Sequence, residues 1–571
     1  MEIITGYDIL IIGGGAAGLR AAIAAAETDP RLKIGIISKV YPTRSHTVSA
    51  EGGVAAAMRE YDSPANHAYD TIKGSDFLAD QDAVEYFTEN AKKQIITLEH
   101  WGCPWSRQKD GQVAVRAFGG MNVKRTVYAA DKTGFYILHS LFERSLLYEN
   151  ISRFDEWYVT DLFTDNERAT GFHAIHQKNG QQAIFLTKTI IMATGGAGRA
   201  YKFTTNSALN TGDGLILAYE AGAALKDMEF VQFHPTALAK TGILITEAAR
   251  GEGGHLLNKK GERFLKNYLP EKMELGPRDI ISRAIIQEII SGNGFEGPNC
   301  AYVHLDLRHL GKKTINEKLP LIREISIHFA ATDPVLEPIA VRPAQHYTMG
   351  GISTGSDGAS TLPGLFAAGE AACVSIHGAN RLGSNSLAEC LVFGASAGKN
   401  AANYCLSAKK ITIPSNKQIN LFSKSCNNKI KLLLSNDGHE SIASIRSAMQ
   451  ENMDQYAGII RDREGLKKGL HAIKDLQERS KRVTIKDKSL IFNTGLIELL
   501  ELKAMLKTCE IILKCALLRE ESRGAHYRTD FPNRNDQKFL KHHLAHKTSA
   551  GLTITSQKVN ITKWSPEART Y

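Results

Sequence analysis

The run 7–27 constrains the fold of this chain most. Residues of strand character, Tyr7-Asp8-Ile9-Leu10-Ile11-Ile12, meet Gly13-Gly14-Gly15-Ala16-Ala17-Gly18, and an alanine-rich helical stretch follows at once. G-x-G-x-x-G between a strand and a helix opens a Rossmann-like βαβ layer. Its glycines permit a tight turn and close approach of a pyrophosphate, while the helix N-terminus supplies amides and a positive dipole end. The second strand ends in Ser38-Lys39 without the acidic residue that an NAD ribose calls for, which counts against a simple NAD enzyme.

The stretch Ser38–Gly53, SKVYPTRSHTVSAEGG, sets His46 among small hydroxyl residues and closes on Glu51-Gly52-Gly53. By itself such a histidine is most simply a solvated or capped side chain, and other segments change that reading. A second glycine-rich exit from a strand stands at Met192-Ala193-Thr194-Gly195-Gly196, and Asn210-Thr211-Gly212-Asp213-Gly214 opens another helix. A third piece, Phe366-Ala367-Ala368-Gly369-Glu370, places a carboxylate at a strand end, suited to a ribose hydroxyl. This order is the two-part nucleotide platform of large flavoproteins, split by an insertion.

The insertion and its edges carry polar side chains beside glycine or proline: Phe233-His234-Pro235-Thr236, Thr246-Glu247-Ala248-Ala249-Arg250-Gly251, Gly276-Pro277-Arg278-Asp279, Gln345-His346-Tyr347-Thr348 and His377-Gly378-Ala379-Asn380-Arg381. Among them His234, His346, Arg250, Arg278, Arg381 and Thr246 suggest side chains converging on an anion, since arginine and histidine are natural carboxylate binders. Each alone could be an ordinary ion pair. Beside a flavin platform that reading is hard to sustain.

At 571 residues the chain exceeds one core, and its composition is that of a globular protein. The expected fold is α/β: a Rossmann-like FAD-binding domain (1–228 and 345–405) split by an inserted α+β capping domain (229–344). A helical-bundle domain (406–530) and a small C-terminal domain (531–571) follow. The polar passage Ser407–Lys429 precedes amphipathic helical patterns between Ile442 and Arg519. The best apolar run, Leu496–Leu518, is broken by Glu501, Lys503, Lys507, Glu510 and Lys514, so no membrane span is expected. A strand begins almost at the N-terminus without a signal or transit pattern, so the chain is expected to stay where it is made. Eight scattered cysteines without a CxxC pair argue against an iron–sulfur or zinc site within the chain, and no metal is expected. The formal net charge of +10 is uneven: residues 401–571 hold 30 Lys+Arg against 17 Asp+Glu, a net +13 that leaves −3 for the rest. A solvated helical surface is the plainer explanation, and no nucleic-acid-binding motif accompanies it.

With these motifs in place, the chain resembles the flavoprotein subunits of fumarate reductase and succinate dehydrogenase, from residue 7 to the terminal Arg569-Thr570-Tyr571. The resemblance rests on RSHTVSAEGG, WGCPWSR, ATGGAGR, FHPT, TEAARGEGG, GPRD, HYTMGGI, HGANRLGSNSL and ESRGAH. It is nearest to the bacterial quinol:fumarate reductase branch. It implies FAD attached covalently through His46, with Gly13, Gly14, Gly15, Ala16, Ala17 and Gly18 at the pyrophosphate and Ser38, Lys39, Ser45, Thr47, Glu51, Gly52 and Gly53 near by. Asp213, Glu370, Ser386 and Leu387 complete the implied flavin site. For a dicarboxylate it implies His234, Thr246, His346 and Arg381 as ligands, Arg278 as proton donor, and Glu247 and Arg250 as the relay behind it. An arginine, with an ordinary pKa above ~12, suits this role when the acceptor is a strongly basic carbanion and a carboxylate can reprotonate it.

The resemblance further implies an iron–sulfur subunit and membrane anchor subunits as partners, a flavinylation assembly factor, and a peripheral position on the cytoplasmic face of a bacterial inner membrane. Glu51 is typical of reductases whereas the Arg-Thr-Tyr ending is more dehydrogenase-like, so succinate dehydrogenase stands as the alternative direction. An L-aspartate oxidase-like soluble flavoenzyme is disfavoured by His46, and a non-catalytic flavin scaffold by the intact polar set. Ala249 stands where several relatives carry a cysteine, which predicts weak sensitivity to thiol reagents.

Overall fold

The strand Glu2–Ile12 lies inside the main sheet because Ile9, Leu10 and Ile11 are fully buried, so both of its faces are covered. It runs parallel to Ile34–Ser38 on one side and to Gln182–Met192 on the other. In the computed structural model, which describes residues 1–298, 300–407 and 414–570, this sheet continues to Ile151–Asp155 at one edge and through Arg168–His176 to Trp157–Asp165 at the other. The late strand Leu365–Ala367 pairs parallel with Ile190–Met192. Two pieces of chain far apart in sequence are thereby joined in one layer.

The first helix, Ala16–Thr28, packs against the long helix Asn385–Ser407. Alanines on the first and a glycine on the second permit the approach: a Cβ on Gly398 would lie 2.1 Å from the Ala21 carbonyl oxygen.

Between these halves sits an antiparallel sheet in the order Val231–Leu238, Ile339–Thr348, Val303–Asp306, His255–Leu257. It has its own core of Ile245, Leu256, Phe264, Ile281, Ile285, Val303 and Val341, covered by the helix Arg278–Ile290. A third sheet joins Leu225–Lys226 and Gly351–Ser353 to the hairpin Lys541–Thr548/Gly551–Lys558, so the C-terminal strands complete a layer begun near residue 225.

Helices Asn416–Ser435, Ile442–Tyr456, Arg463–Ser480 and Thr494–Leu518 follow the second nucleotide-binding piece. The first of them corrects the reading of Ser407–Lys429 as a polar passage leading into the helices. From Asn416 onward that stretch is itself helical, while 408–413 lies outside the described residues. Ser415 and Gln418 form a reciprocal capping box. Ile419, Cys426, Ile430 and Leu433 form a narrow buried stripe on an otherwise polar helix, with Ile419 against Phe163. Among the described residues no helix is long and apolar enough to cross a membrane.

Candidate active site

Loops at the carboxyl ends of the parallel strands open onto one cavity of ≈ 400 Å³. Gly13, Gly14, Gly15, Ala16 and Ala17 form one end of it, where the helix Ala16–Thr28 begins with Gly15 as an N-cap that makes no side-chain bond. No acidic residue occupies its first turn, so the positive helix end is left for an anion. Gly18 does not reach the wall. A Cβ there would lie 1.9 Å from the Gly13 carbonyl oxygen, so its absence seats the helix on the turn.

Ser38, Lys39, Ser45, His46, Thr47, Glu51, Gly52, Gly53, Asp213, Glu370, Ser386 and Leu387 line the same cavity. The Thr47 hydroxyl accepts from the Ala16 amide at 3.2 Å, which fixes the loop over the glycine turn. Lys39 Nζ is held by Asp213 at 2.9 Å and by Glu501 at 2.8 Å, so the long helix of the helical region braces the nucleotide end. Burial holds the His46 imidazole down at about 4. It is neutral at ordinary pH, and its Nδ1 accepts from the Ser207 amide at 3.4 Å. Burial pushes the Glu370 carboxyl up to about 7, and its Oε1 accepts from the Thr348 amide at 2.9 Å.

These residues fit FAD on their own chemistry. The cavity joins an uncapped helix start to a long apolar and polar trough. Two of its buried hydroxyl and carboxyl atoms, Ser45 Oγ and Glu51 Oε2, have no protein partner.

The other end of the cavity is cationic. His234, Thr246, Glu247, Arg278, His346 and Arg381 line it, from the strands Val231–Leu238 and Ile339–Thr348, the short helix Glu247–Gly251, the helix Arg278–Ile290 and the loop before Asn385. Arg278 Nε meets Glu247 Oε2 at 2.8 Å, and Arg278 Nη1 donates to Gln232 Oε1 at 3.1 Å. Glu247 Oε1 also accepts from the Gly119 amide at 2.6 Å. Against burial, the Arg278 and Arg250 guanidiniums hold the Glu247 carboxyl below its usual value. The Arg381 guanidinium lies over the Tyr347 ring at 4.6 Å, and burial together with Arg278 lowers it to about 10. Burial and the neighbouring arginines press His234 and His346 well below the ordinary histidine range. Their rings stand 5.1 Å apart. Two uncharged imidazoles and two guanidiniums thus surround space with room for a small dianion.

Of the three arginines expected to converge, Arg250 does not line the cavity. It lies fully buried behind Glu247, with Nη2 3.7 Å from Glu247 Oε2 and Nη1 bonded to the Glu274 carbonyl at 2.5 Å. The i, i+3 spacing puts Arg250 beside Glu247, and its bond to the Glu274 carbonyl draws the guanidinium away from the cavity.

Sequence reasoning did not find Gln232, Glu501 or Tyr347. Gln232 carried a signal, because on a strand it shares a face with His234; Glu501 carried none. Among the described residues, Asp161, His173 and Cys426 come within 4.8 Å of one another as possible metal ligands. Two of the three are already engaged: Lys429 pairs with Asp161 at 2.7 Å, and the His173 nitrogens bond Thr160 and Gln182.

A dinucleotide cavity continuous with a cationic pocket defines an FAD-dependent oxidoreductase. The FAD binding domain family matches residues 8–387, and the fumarate reductase flavoprotein C-terminal family matches residues 446–571. The Mycobacterium tuberculosis fumarate reductase flavoprotein subunit is 52% identical over 99% of both chains. The Rickettsia bellii succinate dehydrogenase flavoprotein subunit is 42% identical over 99% of this chain and 97% of its own. A solved variant of the Escherichia coli quinol fumarate reductase flavoprotein superposes with a TM-score of 0.97 at 46% identity, covering 100% of this chain and 99% of that one. The chain belongs to the fumarate reductase and succinate dehydrogenase flavoprotein family.

Proposed function

We propose that this chain is the catalytic flavoprotein subunit of a membrane-associated complex that interconverts fumarate and succinate and works chiefly as a fumarate reductase. One observation carries the reading: Arg278, Arg381, His234, His346 and Thr246, from separate segments, close on the same cavity that reaches the glycine turn. FAD bound here would supply hydride chemistry, giving a hydride in fumarate reduction and taking one in the reverse direction. Gly13–Ala17, Ser38, Lys39, Ser45, Thr47, Asp213, Glu370, Ser386 and Leu387, which line the cavity, would hold it, with Glu51, Gly52 and Gly53 beside it. His46, neutral by burial, would carry the covalent bond to the flavin.

Arg381, His234 and His346 grip the substrate carboxylates and stabilise the charge that grows on them as the alkene is reduced. Thr246 turns one carboxylate out of conjugation. Arg278 gives a proton to the second alkene carbon, Glu247 returns one to it across 2.8 Å, and Arg250 refills Glu247 from behind.

Arg278→Lys therefore lowers kcat on the order of 10³-fold while KM moves less than about tenfold. Near-normal turnover in that variant rejects Arg278 as the acid. Direction is tested by anaerobic turnover, following reduced viologen with fumarate and dye reduction with succinate. Faster succinate oxidation moves the chain to the dehydrogenase branch. Electrons pass to or from quinol through an iron–sulfur subunit docked on anchor subunits at the cytoplasmic face of the inner membrane, and a flavinylation factor assists attachment. The family membership and the absence of any membrane-spanning helix among the described residues support this placement.

A further inference from the structure

Arg278 is the first residue of its helix, and the next residue, Asp279, is fully buried. Asp279 takes two ion pairs, one within its own helix and one that leaves the capping region. Arg569 Nη2, two residues from the C-terminus, reaches its Oδ2 at 2.6 Å, and Arg283 Nη2 reaches the same oxygen at 3.3 Å. Arg569 Nε also lies 3.4 Å from Asp76 Oδ2, on a turn beside the nucleotide-binding layer. Its side chain is only 8% exposed, so these contacts are screened from water.

A second segment, at Gly524-Ala525, binds Asp76 and Arg283 as well and reaches the loop that carries the other substrate arginine. Gly524 donates its amide to Asp76 Oδ2 at 2.8 Å and accepts from Arg283 Nη1 at 2.7 Å. The neighbouring Ala525 amide donates to the Ala379 carbonyl at 2.8 Å, two residues before Arg381. Between the two arginines stands Gln232, which accepts from Arg278 and donates to the Arg381 carbonyl at 2.7 Å.

Asp76 and Asp279 belong to different parts of the fold; burial and Asp76 disfavour the charge on Asp279, and the Arg569 and Arg283 guanidiniums outweigh them and hold its carboxyl below the usual value. Arg569 touches both. We propose that Arg569 is a positioning residue, a C-terminal clasp that holds the helix bearing Arg278 against the nucleotide-binding layer so that Arg278 and Arg381 face one substrate. This rests on the reading of Arg278 and Arg381 as substrate-facing groups.

The test uses the full-length, FAD-loaded chain and two readouts, fumarate turnover and amide hydrogen exchange over 278–290. Arg569→Ala is expected to lower kcat about tenfold with bound FAD unchanged, because small misplacements of a reacting group cost this much or more. Exchange in the 278–290 helix rises about tenfold as its docking weakens. Arg569→Lys keeps the charge without the fork and falls between the two. Asp279→Asn reproduces the Ala defect, and Arg569→Ala/Asp279→Asn is within about twofold of either single variant, since both remove one shared bridge.

Unchanged exchange in Arg569→Ala overturns the clasp. So does raised exchange with wild-type kcat, or defects that multiply in the double variant. If Arg569→Ala does not fold, Arg569→Lys is read on the same two measurements. Failure of the Arg278→Lys test removes the acid assignment alone, because hydrogen exchange reports the clasp whatever Arg278 does.

Discussion

His234 and His346 show what burial does to single residues in this site. Burial, with Arg278 and Arg381 close to both and Arg250 close to His234, keeps both uncharged. A bound dianion reverses that balance by favouring imidazolium. Binding of a non-reacting dicarboxylate such as malonate is therefore expected to take up protons and to weaken as pH rises. Calorimetry in buffers of different ionisation enthalpy reads this directly, and zero proton uptake contradicts it. Cysteines follow the same logic. Cys390 lines the cavity, but burial and the adjacent Glu389 push its thiol well up, and burial pushes Cys103 and Cys373 up to about 12. With Ala249 fully buried beside Arg250, N-ethylmaleimide is expected to inactivate slowly, since the thiolate is the reactive form. Rapid loss of activity, protected by fumarate, rejects this.

At the scale of elements, the strand–turn–helix over 7–27 was legible because its three signals agree: apolar strand residues, glycines at the turn, and alanines in the helix; the strand itself starts earlier, at Glu2. Gly18→Ala puts a methyl group into the Gly13 carbonyl, so the helix must shift off the turn that faces the cofactor. The expected outcome is loss of most bound FAD, read from flavin absorbance, with a fall of several degrees in Tm. Retention of a full complement of FAD contradicts the assignment of this turn. The helix Asn416–Ser435 was not legible, because its buried positions are few among Asn, Lys and Ser. Its capping box was present in the sequence as Ser415 and Gln418, and was the signal to use.

At the scale of the whole molecule, the C-terminal strands are tied to distant segments by buried charge. His542 lies between Asp227 at 2.6 Å and Asp80 at 3.1 Å, and these carboxylates overcome burial to raise it to about 9 from an ordinary 6.5. A raised pKa stabilises the fold fully below about pH 6.5, and that contribution disappears as pH climbs through about 9. The difference is at most about 3 kcal/mol. Urea unfolding is expected to show a midpoint that falls between these pH values, and a flatter profile for His542→Asn. Equal slopes contradict the assignment.

What the sequence by itself determined is local chemistry. The glycine turn declares a nucleotide platform from its near neighbours alone, and the His46 loop and the Gly/Pro-flanked arginines and histidines, read together with it, point to a flavin and an anion pocket. What only the tertiary structure decided is which distant side chains complete them. Lys39 meets Glu501 across 462 positions, Arg569 meets Asp279 across 290, and Arg250 falls behind the cavity rather than on it. Such pairs follow from how the layers pack. An isolated lysine, glutamate or arginine looks alike in sequence whether it is solvated or closes a buried bridge.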